Sequence, residues 1–249
     1  MLIASTTCGV AGRILNVVCG LLAALLLLAT PVLGQQEYVG RFDGFAGFTY
    51  LNSPHISLAE KGFHLQGGVR VVRWLSLGFD YSRATGDLTL TPNLLVPSLS
   101  SQIAGEIAYL QSLSPPELPA GYALVVPASS TTQTFAGGPQ VSFHHWKYMT
   151  LFVRPDLGAI HEVAVPHPLA GDLFAAGVVQ TLAPSGQKTD TVYFYGFGGG
   201  ADFNLTKHLG IRVQADFVHD HLFDDILKDA RNTVRFSIGP AVQFGKNVQ

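Results

Sequence analysis

The chain has 249 residues, with 15 Lys and Arg against 17 Asp and Glu, a formal net charge of −2 and no basic run. That balance excludes nucleic acid as a partner, because its capture rests on clustered Lys and Arg facing phosphates. Both cysteines, Cys8 and Cys19, lie in the first segment, so thiolate metal sites, thiol redox chemistry and disulfide stapling are closed to the rest of the chain.

Residues 1–34 read as a signal peptide, which leaves 35–249 as one exported domain. Arg13 is their sole charge, Ile14 to Leu33 is almost wholly apolar, and Val32-Leu33-Gly34 sets acceptable residues before a cut ahead of Gln35. The apolar run also reaches the roughly 20 residues of an uncleaved anchor; Pro31 and Gly34 favour cleavage. Downstream no run approaches a membrane helix, so entry into a bilayer requires a closed barrel, in which every backbone polar group is satisfied.

Period-two alternation then marks eight segments in chain order, at about 41–51, 62–72, 74–83, 132–144, 149–160, 190–204, 208–219 and 232–244. Each separates into two faces. In "VRVVRWLSLGFDYS" the apolar parity carries Val69, Val71, Leu75, Leu77, Phe79 and Tyr81, and the other parity carries Arg70, Ser76 and Asp80. A soluble sandwich or lipocalin-like barrel alternates too, with its greasy face turned inward.

Three features favour the inverted arrangement, an antiparallel transmembrane β-barrel of about eight strands. Short periplasmic turns at Val72-Arg73-Trp74, His145 to Tyr148 and Leu205-Thr206-Lys207 alternate with longer external loops at about 52–61, 84–131, 161–189 and 220–231. Aromatic residues gather near strand ends on the greasy face. Tyr50, Phe63, Tyr81, Phe135, Tyr193 and Phe217 belong to an outer rim, and Phe42, Phe143, Phe203 and Phe244 to an inner one. The polar parity holds charges of both signs, and Arg70, Asp80, Arg154, Asp156, Asp202, Arg212, Asp216 and Arg235 are expected to close into a network inside the barrel, where an unpaired charge is costly. Pro139, Pro155 and Pro240 interrupt expected strands, and bulges or local gaps are expected there.

Catalytic, cofactor and metal sites are absent from this reading. "GFGGGADF" at 196–203 is strand-like, with no helix start behind it, so its glycines make room for large inward neighbours and do not cradle phosphate. The pairs His144-His145, His161 with His167 and His219 with His221 lack metal-ligand spacing; the last, followed by Asp224 and Asp225, is only a weak loop site. Within the 84–131 insertion, Ile103, Ile107, Leu110 and Leu113 fall near helical spacing, the mark of a short helix over the barrel mouth.

The turn-strand units "RWLSLGFDYS" and "GGGADFNLTKHLGIRVQADFVHD" and the closing "VRFSIGPAVQF" resemble the OmpA/OmpX-type small outer-membrane β-barrels over nearly all of 38–244. The resemblance implies outer-membrane localisation, outer-membrane lipid and the barrel assembly machinery as partners, and mobile external loops. Phe244 stands where it implies an aromatic read by that machinery, followed here by "GKNVQ". A cell-wall tether is not expected.

The expected function is that of a non-enzymatic integral outer-membrane barrel with an envelope structural or surface-interaction role, its external ligand or partner unnamed. Eight strands leave an interior just filled by side chains. A narrow or gated porin-like channel is the alternative, to be separated by conductance of the refolded protein. A lipid-modifying enzyme is the second, and the His-Xaa-Ser-Asn signature of lipid A deacylases is missing.

Overall fold

A computed structural model describes residues 36–228 and 231–248. The expected signal peptide lies outside the described residues. Among these residues, β1 (Gly40–Ser53), β2 (Leu58–Val72), β3 (Leu75–Leu90), β4 (Val126–Phe143), β5 (Met149–Pro166), β6 (Lys188–Asn204), β7 (Leu209–Asp220) and β8 (Arg231–Asn247) pair in sequence order as an antiparallel barrel, closed by β8 against β1. Closure leaves no edge strand, the condition for a sheet that meets lipid. No described helix is long and apolar enough to cross a membrane.

The start of β1 and the end of β8 meet at one end, where Gly40 lies opposite Asn247. The short connections 73–74, 144–148 and 205–208 share that end, which we call the inner end. At the outer end, three connections differ from the sequence expectation. The first, expected at 52–61, is reduced to residues 54–57; the second runs from 91 to 125 and the third from 167 to 187.

The reason is visible along β3. Toward the inner end its outward residues are Leu77, Phe79 and Tyr81 and its inward ones Ser76, Asp80 and Ser82; further out, Arg83, Thr85 and Asp87 are exposed while Ala84, Leu88 and Leu90 turn inward. The alternation is continuous, but its polarity reverses after Tyr81. β2 does the same, with Val69, Leu65 and Phe63 outward until Lys61, and Arg70, Gln66 and His64 inward until Leu58. The strands therefore leave the bilayer and continue as a barrel of ordinary soluble polarity, where a template of fixed sign ends them too early.

Within the wall, Leu77 is 56 % exposed and Ile238 51 %, whereas Asp80 on the other parity is fully buried and Arg235 is 2 % exposed. A surface of exposed Leu, Ile and Phe over a charged interior suits hydrocarbon and not water. Aromatic rings mark the outer boundary as a contiguous belt, with Phe63 5.8 Å from Tyr81 and Tyr81 4.8 Å from Phe135. Phe42 stacks on Phe244 at 5.5 Å at the inner boundary. The chain is a transmembrane barrel with an external extension.

The three prolines produce gaps and no bulges. Between β4 and β5 the pairing resumes in the same register on both sides of the Pro139 and Pro155 rungs, from Gly137↔Leu157 to Val141↔Val153. Pro139 still faces Leu77 on β3, and Pro155 faces Phe197 on β6. Two missing donors thus fall into one seam, and one interruption absorbs both. Pro240 likewise keeps its place opposite Ile211, and its gap faces β1. The register shifts that do occur lie elsewhere, at Gly40/Phe42 and Arg70/Val72.

Above the wall, the long connections fold. Helix α1 (Pro97–Ser112) realises the periodicity around Ile103, and a second helix, α2 (Leu173–Leu182), occupies the third connection, where the sequence pattern indicates only a loop. Residue 172 caps α2: Asp172 Oδ1 accepts from Ala175 N at 2.9 Å.

Candidate functional site

Register dictates the lumen. Asp202 lies directly opposite Arg212, Asp216 opposite Arg235, and Gln66 opposite Asp80, so complementary side chains meet as cross-strand pairs on the inward face. Asp80 is the hub. Its carboxylate accepts from Arg235 Nη1 at 3.0 Å and Nη2 at 2.9 Å and from Arg154 Nη2 at 2.8 Å, and it lies 2.6 Å from His64 Nε2. Arg154 also donates to Asp156 at 2.9 Å, and Arg235 to Asp216 at 2.9 Å.

The remaining members of the expected network form a second group nearer the inner end. Arg212 Nε donates to Asp202 at 2.6 Å. Arg70 stands apart from the Asp80 group: its nearest acid is Asp43, at 4.0 Å, and it donates to the Gly40 carbonyl at 3.4 Å. Two glutamines join the groups, since Arg212 Nη1 donates to Gln66 at 2.6 Å, Gln66 to Gln214 at 2.8 Å, and Gln214 to Asp216 at 2.7 Å. Such a chain leaves few of these charges unsatisfied, the condition under which burying them is tolerable.

Sequence parity missed three parts of this interior. Phe45 and Phe152 point inward and flank Arg212, whose guanidinium carbon is 4.6 Å from the Phe152 ring centre, within cation–π range. His64, which shares the polar parity with Asp80 but lies outside the expected charge network, bridges Asp80 to Ser237 (2.8 Å). The third part is an outer layer that begins beyond the expected strand ends. There Arg231 Nη1 lies 2.7 Å from Glu162 and Nε 3.3 Å from Asp220, Ser130 donates to Glu162 at 2.9 Å, and Glu60 is buried.

The glycines of "GFGGGADF" make room for large inward neighbours, as the sequence indicates. A Cβ on Gly198 would collide with the Asp216 carboxylate, and one on Gly200 would sit 2.8 Å from Phe152 Cζ. At the inner end Gln36 closes the tube: its side-chain oxygen accepts from Thr150 at 2.9 Å and lies 3.0 Å from His144 Nδ1. His219 engages Asn232 at 2.8 Å and packs against Tyr195 and His221. Among the described residues no group of three or more His, Cys, Asp or Glu is placed to hold a metal.

Around Arg231 and above it the interior becomes apolar, beginning with Ile160 and Val218, two residues on the lumen side of Glu162 and Asp220 respectively. Leu95, Ile103, Leu124, Val126 and Ala175 form one buried cluster under α1 and α2; Ile56, Leu58, Leu222, Phe223 and Leu227 belong to another at the barrel mouth. The last connection folds back over the mouth and bonds to the second, with Val96 N donating to the Ile226 carbonyl at 2.8 Å and Lys228 N to that of Leu94 at 3.0 Å. Tyr122 donates to Asp172 at 2.7 Å, tying the second connection to the cap of α2. Burial and the adjacent Asp172 carboxylate push the Tyr122 hydroxyl up to about 12.

Two hollows belong to this head. One is an open groove of about 370 Å³ between α1 and α2, lined by Leu99, Ile103, Glu106, Leu173, Phe174 and Val178 among others. The other is a chamber of about 90 Å³ between α2 and the outer ends of β3 to β5.

Neither a protein-family model nor a curated protein sequence matches the chain. Solved structures are similar to it at low identity. The attachment invasion locus protein Ail of Yersinia pestis has 11% identity over 82% of this chain and 99% of its own, with a TM-score of 0.45. Neisserial surface protein A has 11% identity over 82% and 96%, with a TM-score of 0.47. The outer membrane protein OprG of Pseudomonas aeruginosa has 10% identity over 85% and 99%, with a TM-score of 0.46. The chain has the form of a small outer-membrane barrel. That form rests on its own eight closed ladders and its inverted wall, and likeness at this level does not extend to a role.

Proposed function

We propose that this protein is a non-conducting outer-membrane barrel that presents a folded external head for contact at the cell surface, without catalytic activity. The observation that carries this reading is the head itself. Three external connections share an apolar core and are bonded to one another, and they leave Leu173, at 85 % exposure, at the open groove and Tyr109, at 64 %, exposed on α1. A connector needs no such core. Large exposed apolar side chains on an ordered scaffold are suited to a partner.

The channel alternative is opposed by the lumen. A conducting path would have to separate Asp80 from Arg154 and Arg235, both of which bond to it while buried. Two measurements on the full mature chain test the reading. Refolded protein in planar bilayers is expected to give no steady conductance, and binding of protein-bearing vesicles to host or neighbouring cell surfaces is expected to fall when Leu173 and Tyr109 are both changed to Ser. Steady ion currents, or adhesion indifferent to the double change, would overturn it.

A further inference from the structure

The chamber beneath α2 has a chemistry of its own. Its roof is Val178, Val179 and Leu182, its wall includes Leu90 and Ala164, and Phe223 closes one side. Glu162 and Arg231 lie at its floor, 2.7 Å from each other, and Lys188, whose ammonium pairs with Asp225, lines it as well; the surface open to the chamber is carbon. Water needs two to four polar partners to be held in such a space; Glu162 Oε2 and Arg231 Nη1 have no hydrogen-bond partner but are covered, so the open surface offers none. At about 90 Å³ the chamber is far too small for a whole lipid acyl chain, and it is of the order of apolar cavities that accept a single aromatic ring.

We propose that this chamber is a binding site for a small, uncharged, apolar molecule about the size of one aromatic ring. The site goes beyond surface contact and is separate from the α1–α2 groove. Charge is selected against because the carbon lining offers no hydrogen bond and a charge brought into such a space would lose its water without compensation. The chamber lies between α2 and the strand ends, beyond the aromatic belt, so a ligand from the aqueous phase need not cross the charged lumen to reach it.

The test uses the refolded protein in nanodiscs of deuterated lipid, with methyl-labelled Val and Leu and toluene as the probe. Toluene is expected to show saturable contacts with the methyl groups of Val178, Val179, Leu182 and Leu90. Ala164→Phe, which fills the chamber from the wall, is expected to weaken those contacts at least tenfold. Should Ala164→Phe fail to assemble, Val179→Trp fills the same space from a helix outside the barrel wall and is read in the same way. Benzoate, of similar size but charged, is expected to give no contact. Contacts confined to lipid-facing methyls such as those of Leu77 and Val213, or contacts unchanged by filling, would overturn the proposal and leave only partition into the bilayer.

Discussion

The lumen and the head lie on the same inward faces of the same strands, yet they are filled with opposite materials. On β2 the inward series runs Arg70, Gln66, His64, Glu60 and then Leu58; on β4 it runs Gln140, Ala136, Thr134, Thr132, Ser130 and then Ala128 and Val126. Outside, lipid-facing Leu65 and Phe63 give way to Lys61, and Phe135 gives way to Gln133 and Thr131. What fills an interior is thus set by what surrounds it. Where lipid takes the greasy side chains, the polar ones must satisfy one another inside; where water surrounds the barrel, the hydrophobic effect turns the greasy ones in.

The largest expected effect strikes the lumen. Asp80→Ala leaves Arg154 and Arg235 without their shared acceptor, and removal of one partner from a buried ion-pair group costs about 3–5 kcal/mol. Equilibrium unfolding of the refolded barrel in urea, followed by heat-modifiable gel mobility, should show it. A cost under about 1 kcal/mol would mean that the lumen is wet. Next comes the wall: Leu77→Arg, near mid-strand on the lipid side, should cost about 2–4 kcal/mol, the depth-dependent penalty for a cation facing lipid. Thr85→Arg, on the same face of the same strand but above the belt, should stay within about 0.5 kcal/mol.

A somewhat smaller effect belongs to the head. Ile103→Ala should remove about 2–3 kcal/mol from the packing under α1, at the lower end of the range for buried aliphatic truncations. The loss should stay local, exposing residues 97–112 to protease while gel mobility of the barrel is unchanged. Unfolding of the whole barrel with the head would erase the distinction between the two regions.

The mildest perturbation is titration of Tyr122. Its hydroxyl is held protonated in the folded head, so its contribution is complete below its ordinary value of about 10 and fades as pH rises toward about 12. Tyr122→Phe should cost about 1 kcal/mol at neutral pH and abolish that alkaline step in protease resistance of the head.

Much of this division was legible in the sequence, and the missing parts have a common cause. Leu75, Leu77, Phe79 and Tyr81 fixed the wall because their parity holds while lipid is outside. Glu162, Asp220 and Arg231 were passed over because they lie where the polarity is turning, past the point at which a single-sign pattern stops. Helix α1 announced itself through Ile103 and Ile107, but α2 did not. Its ten residues contain Gly177 and the β-branched Val178, Val179 and Thr181, which are poor helix formers, and only packing against the strand ends and α1 overrides that preference. Arg70 was grouped with Asp80 because parity says which face a charge shares and not how far along the tube its partner stands.

The reversal of polarity along a single strand is the central claim, and β3 tests it most directly. Nitroxide labels placed one at a time on cysteines at positions 77, 79, 85 and 87 of the refolded protein in lipid can be relaxed by oxygen, which concentrates in hydrocarbon, or by a water-soluble nickel chelate. Positions 77 and 79 should respond to oxygen, and 85 and 87 to nickel, with the exchange falling between Tyr81 and Thr85. An oxygen response continuing to 87, or a nickel response already at 77, would contradict the account.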